Sequence, residues 1–252
     1  DYPRRELKEH VAGKENLVLN LPKIVKIDWR HAFVADCPST AIVMDINGSY
    51  NIPLYLYPRE KQDLLDDAPQ EKRANFSAEF LAALHAKLGD LPLTPEEVFV
   101  YLYAVLYAPA YRSRYAEFLK RDFPRIPLTA DRALFQKLAA LGQQLIGLHL
   151  LHQHAPAVCR YPIAGSNRMD KVEYRNHRVY INAEQFFDGV PEAVWGYHIG
   201  GYQVAAKWLK DRKGRLLSFD DLQHYQRVIA ALARTIALQA EIDAAIPGWP
   251  LQ

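Results

Sequence analysis

Cysteine is nearly absent from this sequence: Cys37 and Cys159 are the only two in 252 residues, far apart and outside any CxxC spacing. That excludes a disulfide framework and a thiolate zinc site. Two isolated, buried thiols in a reducing, cytoplasmic setting are expected. No apolar run approaches the length needed to cross a bilayer, and no signal-peptide pattern opens the chain. Charge of one sign does not dominate: 31 Lys and Arg stand against 29 Asp and Glu, a formal net charge of +2. Bulk polyanion binding is excluded, and any nucleic-acid contact must come from local patches. Half of the residues are hydrophobic and 24% charged, which argues against disorder and allows a full core. Asp1 is not a natural initiator, and a highly charged stretch from Arg4 to Lys14 precedes the strand-like NLVLNL. The sequence reads as a piece of a longer polypeptide.

The usual catalytic signatures are missing as well. There is no Walker loop, GxGxxG, HExxH or GxSxG. His149, His152 and His154 cluster at a helix end, but no cysteine or carboxylate lies nearby to complete a metal site. Their preference for the negative pole of the helix accounts for them better. Asp170 and Glu173 flank Lys171 without a strand-borne lysine at nuclease spacing, and read as surface charges. Asp45 and Asn47 begin like a calcium loop but lack the distal glutamate, and read as a turn. No catalytic residue and no metal ligand is expected here.

The hydrophobic pattern predicts an α+β chain. Val18-Leu19, Ile24–Ile27, Ala32–Val34 and Ala41–Met44 are strand-like, and Asn47-Gly48 signals a hairpin whose return strand is IPLYLY. Glu60–Glu71 reads as an exposed connection. Ser77 caps a helix that stops at Gly89, with Phe80, Leu81, Leu84 and Leu88 on its apolar face. Thr94-Pro95-Glu96-Glu97 is a capping box with proline at the first helical position. Beyond Pro109 a second helix carries Tyr111, Tyr115, Phe118 and Leu119. Phe123–Pro127 must be extended, and Thr129 opens a helix with Leu134, Leu138, Leu141, Leu145 and Leu148 in register. VEYRNHRVYIN is a hairpin turning near Arg175-Asn176-His177. The helical pattern after Pro191 breaks at Gly200-Gly201, and Ser218 with Asp221 caps the longest helix. One region covers 1–252, with sub-regions 1–58 (β-rich), 75–155 (helical), 156–190 (hairpin insert) and 191–246 (helical).

What the sequence does have is clustered positive charge. Lys207, Lys210, Arg212, Lys213 and Arg215 oppose a single acid, Asp211. A second cluster is YRSRYAEFLKRDFPR, with Arg112, Arg114, Lys120, Arg121 and Arg125 among Tyr111, Tyr115 and Phe123. A third spans the hairpin region: Arg160, Arg168, Lys171, Arg175 and Arg178, with Asn167 available for base edges. Such clusters fit a polyanion, lysine on phosphates and Arg or Asn on bases. They equally fit a solvated helix end at the negative pole of its dipole. Tyr101, Tyr115, Trp208 and Tyr225 sit on apolar helical faces and read as core, not stacking platforms.

Two long stretches, LTPEEVFVYLYAVLYAPAYRSRYAEFLKRDFPRIPL and VWGYHIGGYQVAAKWLKDRKGRLLSFDDLQHYQRVIAAL, resemble the C-terminal specificity region of Type ISP restriction-modification enzymes. The likeness runs from about Leu17 to Asp243. Such enzymes join a nuclease, a translocase ATPase, an N6-adenine methyltransferase and a target recognition domain. The resemblance implies that this piece binds double-stranded DNA and partners the methyltransferase and helicase domains of its own polypeptide. S-adenosylmethionine, ATP and Mg would belong to those domains, and this chain would hold no cofactor. Motifs shared across differing specificities imply scaffold or phosphate roles for Lys207, Lys210, Arg212 and Lys213. The alternative is a coupling domain that packs on the methyltransferase without reading bases.

Overall fold

The computed structural model describes residues 5–38, 48–58, 71–89 and 92–251. Strand Ala41–Met44, the Asp45/Asn47 turn and most of the 60–71 connection lie outside them. The chain is α+β and divides into two compact units, Asp1–Ile146 with Glu241–Gln252, and Gly147–Ala240.

The first unit opens with helix α1 (Arg5–Val11), followed by β1 (Val18–Leu21) and β2 (Phe33–Ala35); β3 (Tyr50–Pro53) is the return strand. All four residues of β1 are buried, because β2 and β3 pair with both of its edges, placing Leu19 opposite Val34 and Ile52. Short β4 (Tyr55–Leu56) and β5 (Arg73–Ala74) pair separately. Buried Asn16 ties these pieces together: its Nδ2 donates to the carbonyls of His10 and Tyr55, and its Oδ1 accepts from the Tyr55 amide.

Ile24–Ile27 is not a strand. The segment pairs with none of the described strands, and Ile24 and Ile27 are exposed, so it lacks the buried face that a strand there would need. Only Val25 turns inward, its amide donating to the Lys120 carbonyl. Cys37 is exposed, contrary to the expected buried thiol, because it lies just past the end of β2. Cys159 is buried, and desolvation pushes its thiol up to about 12.

Helix α2 (Ala78–Leu88) begins at Ser77, whose hydroxyl accepts from Phe80, and ends at Gly89 with φ of 66°. Only Leu84 and Leu88 of its apolar face are buried; Leu81 is exposed. The Thr94–Glu97 capping box is formed on both sides, and opens α3 (Pro95–Tyr107), which is buried on nearly every face. A helix without a polar side belongs at the centre of its unit. The predicted helix after Pro109 is two pieces, α4 (Pro109–Arg114) and α5 (Ala116–Leu119), broken at Tyr115. The break turns Phe118 out to 75% exposure while Leu119 stays buried.

Three tyrosines of this stretch hold irregular chain in place. The hydroxyls of Tyr101, Tyr107 and Tyr111 donate to the carbonyls of Pro127, Ala32 and Arg125. Carbonyls of a proline-rich extended segment have no ladder partner, so side-chain donors must satisfy them once they are covered. Helix α6 (Arg132–His149) starts at Asp131, not Thr129: the Asp131 carboxylate accepts from the amides of Ala133 and Leu134, while the Thr129 hydroxyl accepts from Asp131. Gly142 in α6 lets the α3 backbone at Val100 approach closely.

The second unit contains the predicted hairpin, β6 (Glu173–Arg175) and β7 (Arg178–Tyr180). Asn176 and His177 form its turn with φ of 51° and 58°. A third strand, β8 (Phe186–Asp188), pairs with β7, and Arg160 bridges to Asp188 on the outer edge. Helix α7 (Glu192–Trp195) precedes a second tight hairpin, β9 (His198–Ile199) and β10 (Tyr202–Gln203), turning at Gly200-Gly201. Then follow α8 (Val204–Lys210) and α9 (Phe219–Ala245). Met169, Val179, Ile181, Phe187, Leu209 and Tyr225 are the heart of its core. Among the described residues, no helix is long and apolar enough to cross a membrane.

Candidate nucleic-acid interface

In the second unit, two segments distant in sequence are laced together by backbone hydrogen bonds. The amide of Met169 donates to the Arg215 carbonyl at 2.9 Å, that of Gly214 to Met169 at 2.7 Å, and that of Leu217 to Asn167 at 2.9 Å. Arg168 and Leu216 form an antiparallel bridge. The hairpin-region cations and the Lys207–Arg215 run therefore share one local framework. Gly214 makes the reversal possible, with φ of 82°.

A polar knot stiffens the 163–169 side. Gln185 is 1% exposed; its Oε1 accepts from the Asn167 amide and from Asn182 Nδ2, and its Nε2 donates to Asn167 Oδ1 and to the Ile163 carbonyl. Asn182 Oδ1 in turn accepts from the amides of Glu184 and Gln185. Asn167 holds a left-handed backbone, φ 54°, and also accepts from the Tyr161 hydroxyl. Its side-chain oxygen is thus engaged internally. Sequence alone does not single out Gln185 and Asn182, which look like ordinary polar loop residues until the loop closes over them.

The cations of this unit fall into two groups. Arg212 stacks on Trp208 and donates to its carbonyl, with Asp221 beside it. Lys207 is paired with Asp211 and lies over Tyr202. Arg160 and Arg178 share Asp188, whose carboxyl they hold below its ordinary value. Arg168 pairs with Asp170, Lys171 with Glu173, and Arg175 with Glu173 and the Tyr180 ring. Lys210, Lys213 and Arg215 are exposed and have no carboxylate partner among the described residues. Exposed ion pairs exchange cheaply for an anionic ligand, but these three need no exchange at all.

The first unit's cluster divides similarly. Arg112 is committed inward: its guanidinium lies over Tyr107 and Trp29, its Nε donates to the Leu106 carbonyl, and its Nη2 is buried. Lys120 pairs with Glu117. Arg114, Arg121 and Arg125 are exposed, without carboxylate partners among the described residues. Of the aromatic residues expected in the core, Tyr101 and Tyr225 are fully buried, while Tyr115 and Trp208 are half-buried. His149 bonds the Thr235 hydroxyl, and no group of three metal-ligating side chains occurs among the described residues.

The second unit thus combines a mixed fold with a laced, cation-bearing loop framework. The chain belongs to the Type ISP C-terminal specificity domain family, whose pattern matches residues 1–240. No curated protein matches it as a sequence. Among solved structures it is similar to the ATP-dependent Type ISP restriction-modification enzyme LlaBIII bound to DNA. There the TM-score is 0.75 and the identity 19%, over 99% of this chain and 17% of that one. It is also similar to a nuclease-deletion mutant of the Type ISP enzyme LlaGI in complex with a DNA substrate mimic (TM-score 0.70, 18% identity, 97% and 22% covered). The DrdV–DNA complex is a third (TM-score 0.69, 21% identity, 97% and 26% covered). The chain thus spans about a sixth to a quarter of the length of these polypeptides.

Proposed function

We propose that this chain is the DNA target-recognition module of a Type ISP restriction-modification polypeptide. Double-stranded DNA is its ligand, and it positions the target for N6-adenine methylation, and for ATP-dependent translocation and cleavage, by neighbouring domains. The observation that carries this reading is the set of exposed cations without carboxylate partners among the described residues, Lys210 at the end of α8 with Lys213 and Arg215 on the following loop, which backbone bonds fix to Asn167–Met169. Like charges kept together and left unneutralised destabilise a fold slightly, and a polyanion offsets that cost. The DNA complexes of LlaBIII, LlaGI and DrdV support the same ligand.

The mechanism divides the labour by residue. Lys210, Lys213 and Arg215, with Arg114 and Arg121, contact phosphates. Arg160, Arg168 and Lys171 exchange their carboxylates for phosphate or base-edge acceptors as the duplex arrives. Asn167 and Gln185 act as positioning residues that keep the loop in shape. Arg112, Arg212 and Lys207 brace the fold. S-adenosylmethionine, ATP and Mg act in the other domains of the polypeptide.

Selection from random duplexes followed by salt titration tests the reading. An enriched motif is expected, with affinity that falls steeply as salt rises. Changing Lys210, Lys213 and Arg215 together to alanine is expected to flatten the slope of log K against log salt, by about 0.9 for each phosphate that is no longer neutralised. Absence of any enriched motif and of salt-dependent binding would overturn it. Charge reversal that spares DNA affinity but abolishes association with the methyltransferase would favour a coupling domain instead.

A further inference from the structure

The loop that carries the unpaired cations also carries two large apolar side chains that the fold does not bury. Leu216 is 69% exposed and Phe219 is 70% exposed. Their outward position follows from the start of α9. Ser218 is the cap, its hydroxyl accepting from the Asp221 amide. A hydrophobic residue just before a cap packs against the fourth helical residue, and here Leu217 and Leu222 take those two positions; both are in the core. With Leu217 directed inward, its neighbours Leu216 and Phe219 are left facing solvent.

Scattered exposed apolar residues need no explanation, but these two differ in placement and surroundings. They lie within four residues of one another and directly after Lys213 and Arg215. Arg168 is the cross-strand partner of Leu216, so its side chain shares a face with it. Both apolar residues stand on fixed backbone: Leu216 in the bridge, Phe219 as the first residue of a 27-residue helix. A fixed apolar tip costs no loop ordering when it binds. On the side of Leu216 the rim is basic, with Lys213 and Arg215 before it and Arg168 opposite, and fits a polyanion, while Asp220 and Asp221 lie beyond Phe219 in the first turn of α9.

We propose that Leu216 and Phe219 form an apolar tip that enters a groove of the duplex and packs on bases, while Lys213, Arg215 and Arg168 hold the flanking phosphates. Apolar side chains read thymine methyl groups or wedge into a base step. Lysines on phosphate cannot supply that information. This inference rests on the DNA-recognition reading above and deepens it by naming base-contacting residues.

Two double variants of the chain, Leu216→Ser with Phe219→Ser and Lys213→Glu with Arg215→Glu, separate the possibilities. Each is titrated with the duplex enriched by selection and with random duplex over a salt series; thermal melting checks folding, which exposed positions should leave unchanged. The apolar variant is expected to lose about tenfold or more in affinity for the selected duplex while keeping random-duplex binding and the salt slope. The charge variant is expected to lose both. A 2-aminopurine scan of the selected duplex should brighten at the contacted step for the unaltered chain and not for the apolar variant, if the tip wedges. Unchanged affinity in the apolar variant, alongside loss in the charge variant, overturns the tip and leaves the functional reading standing. A chain that binds no duplex overturns both. An apolar variant that binds DNA normally but no longer associates with the methyltransferase region makes the tip a domain-docking surface, and overturns it as a base contact.

Discussion

The guanidinium carbon of Arg212 lies 3.5 Å from the centroid of the Trp208 ring, and one of its nitrogens donates to the Trp208 carbonyl at 3.0 Å. Asp221 at 3.6 Å completes the arrangement. This cation sits in the most basic run of the sequence, yet its bonds are spent on joining the end of α8 to the start of α9. Arg212→Ala is therefore expected to destabilise the second unit by about 1–2 kcal/mol, through lost stacking and packing. The salt slope of DNA binding should be unchanged. Urea denaturation and salt titration measure the two effects separately, and a variant of normal stability with a flattened slope would contradict this assignment.

Gln185 and Asn182 each make four side-chain hydrogen bonds in the second unit's loop framework, more than any other polar side chain there among the described residues. Gln185→Ala leaves the Asn167 amide and the Ile163 carbonyl without their partners, and should cost about 3 kcal/mol. Hydrogen exchange at the Asn167 amide reports the same loosening and should accelerate strongly. DNA affinity should fall through positioning, without any change in which motif is enriched.

Gly142 tests the first unit. A Cβ added there would meet the carbonyl carbon of Val100 at 2.8 Å, with the carbonyl oxygen closer still. Backbone of a buried helix cannot give way as a flexible side chain can. Gly142→Ala should destabilise by about 2–3 kcal/mol, more than the roughly 1 kcal/mol that alanine gains over glycine in helix propensity. A stabilised variant in denaturant titration would show the two helices to be farther apart.

The acid limb of stability should depend on Asp188. Side-chain bonds from Arg178 and then Arg160 lower its pKa from 3.8. A carboxylate with a lowered folded pKa contributes stability that is present above its unfolded value and is lost as pH falls through the folded one. Thermal melting should therefore show the second unit losing stability as pH drops below about 4, with a shallower decline in Asp188→Asn. Asp221, lowered by its bonds to Ser218, adds to the same trend. An Asp188→Asn variant with an unchanged acid limb would refute the assignment.

Much of the architecture was legible in the sequence where short-range rules apply. The Ser77, Thr94 and Ser218 caps, the Gly89 stop and the Asn176-His177 turn all stand where the residues indicated. Each depends on a side chain reaching a backbone group two or three residues away, or on a residue tolerating positive φ. Ile24–Ile27 failed because its apolar residues meet no core: only Val25 is buried, while Ile24 and Ile27 face solvent. The single helix expected over Tyr111–Leu119 failed because its apolar spacing was satisfied with a break at Tyr115. Strand β8 was missed since three residues carry too little periodicity to register. Leu216 and Phe219 could have been found: a capping box with Leu217 and Leu222 in the staple positions already turns them outward.

The sequence by itself determined the α+β class, most helix boundaries, the family likeness and the location of positive charge, because these rest on local chemistry and residue order. Only tertiary structure decided which of those charges are available. Arg112 and Arg212 look the same in sequence as Lys213 and Arg215. The first two are taken up by aromatic faces and backbone carbonyls four to six residues away, with Trp29 reaching Arg112 from a distant segment. The others emerge on a loop laced to residues 167–169, nearly fifty positions earlier in the chain. A charge is free or committed according to what folds against it: residue order puts Tyr107 and Trp208 close to those arginines, but only the folded chain sets ring and carbonyl against each guanidinium.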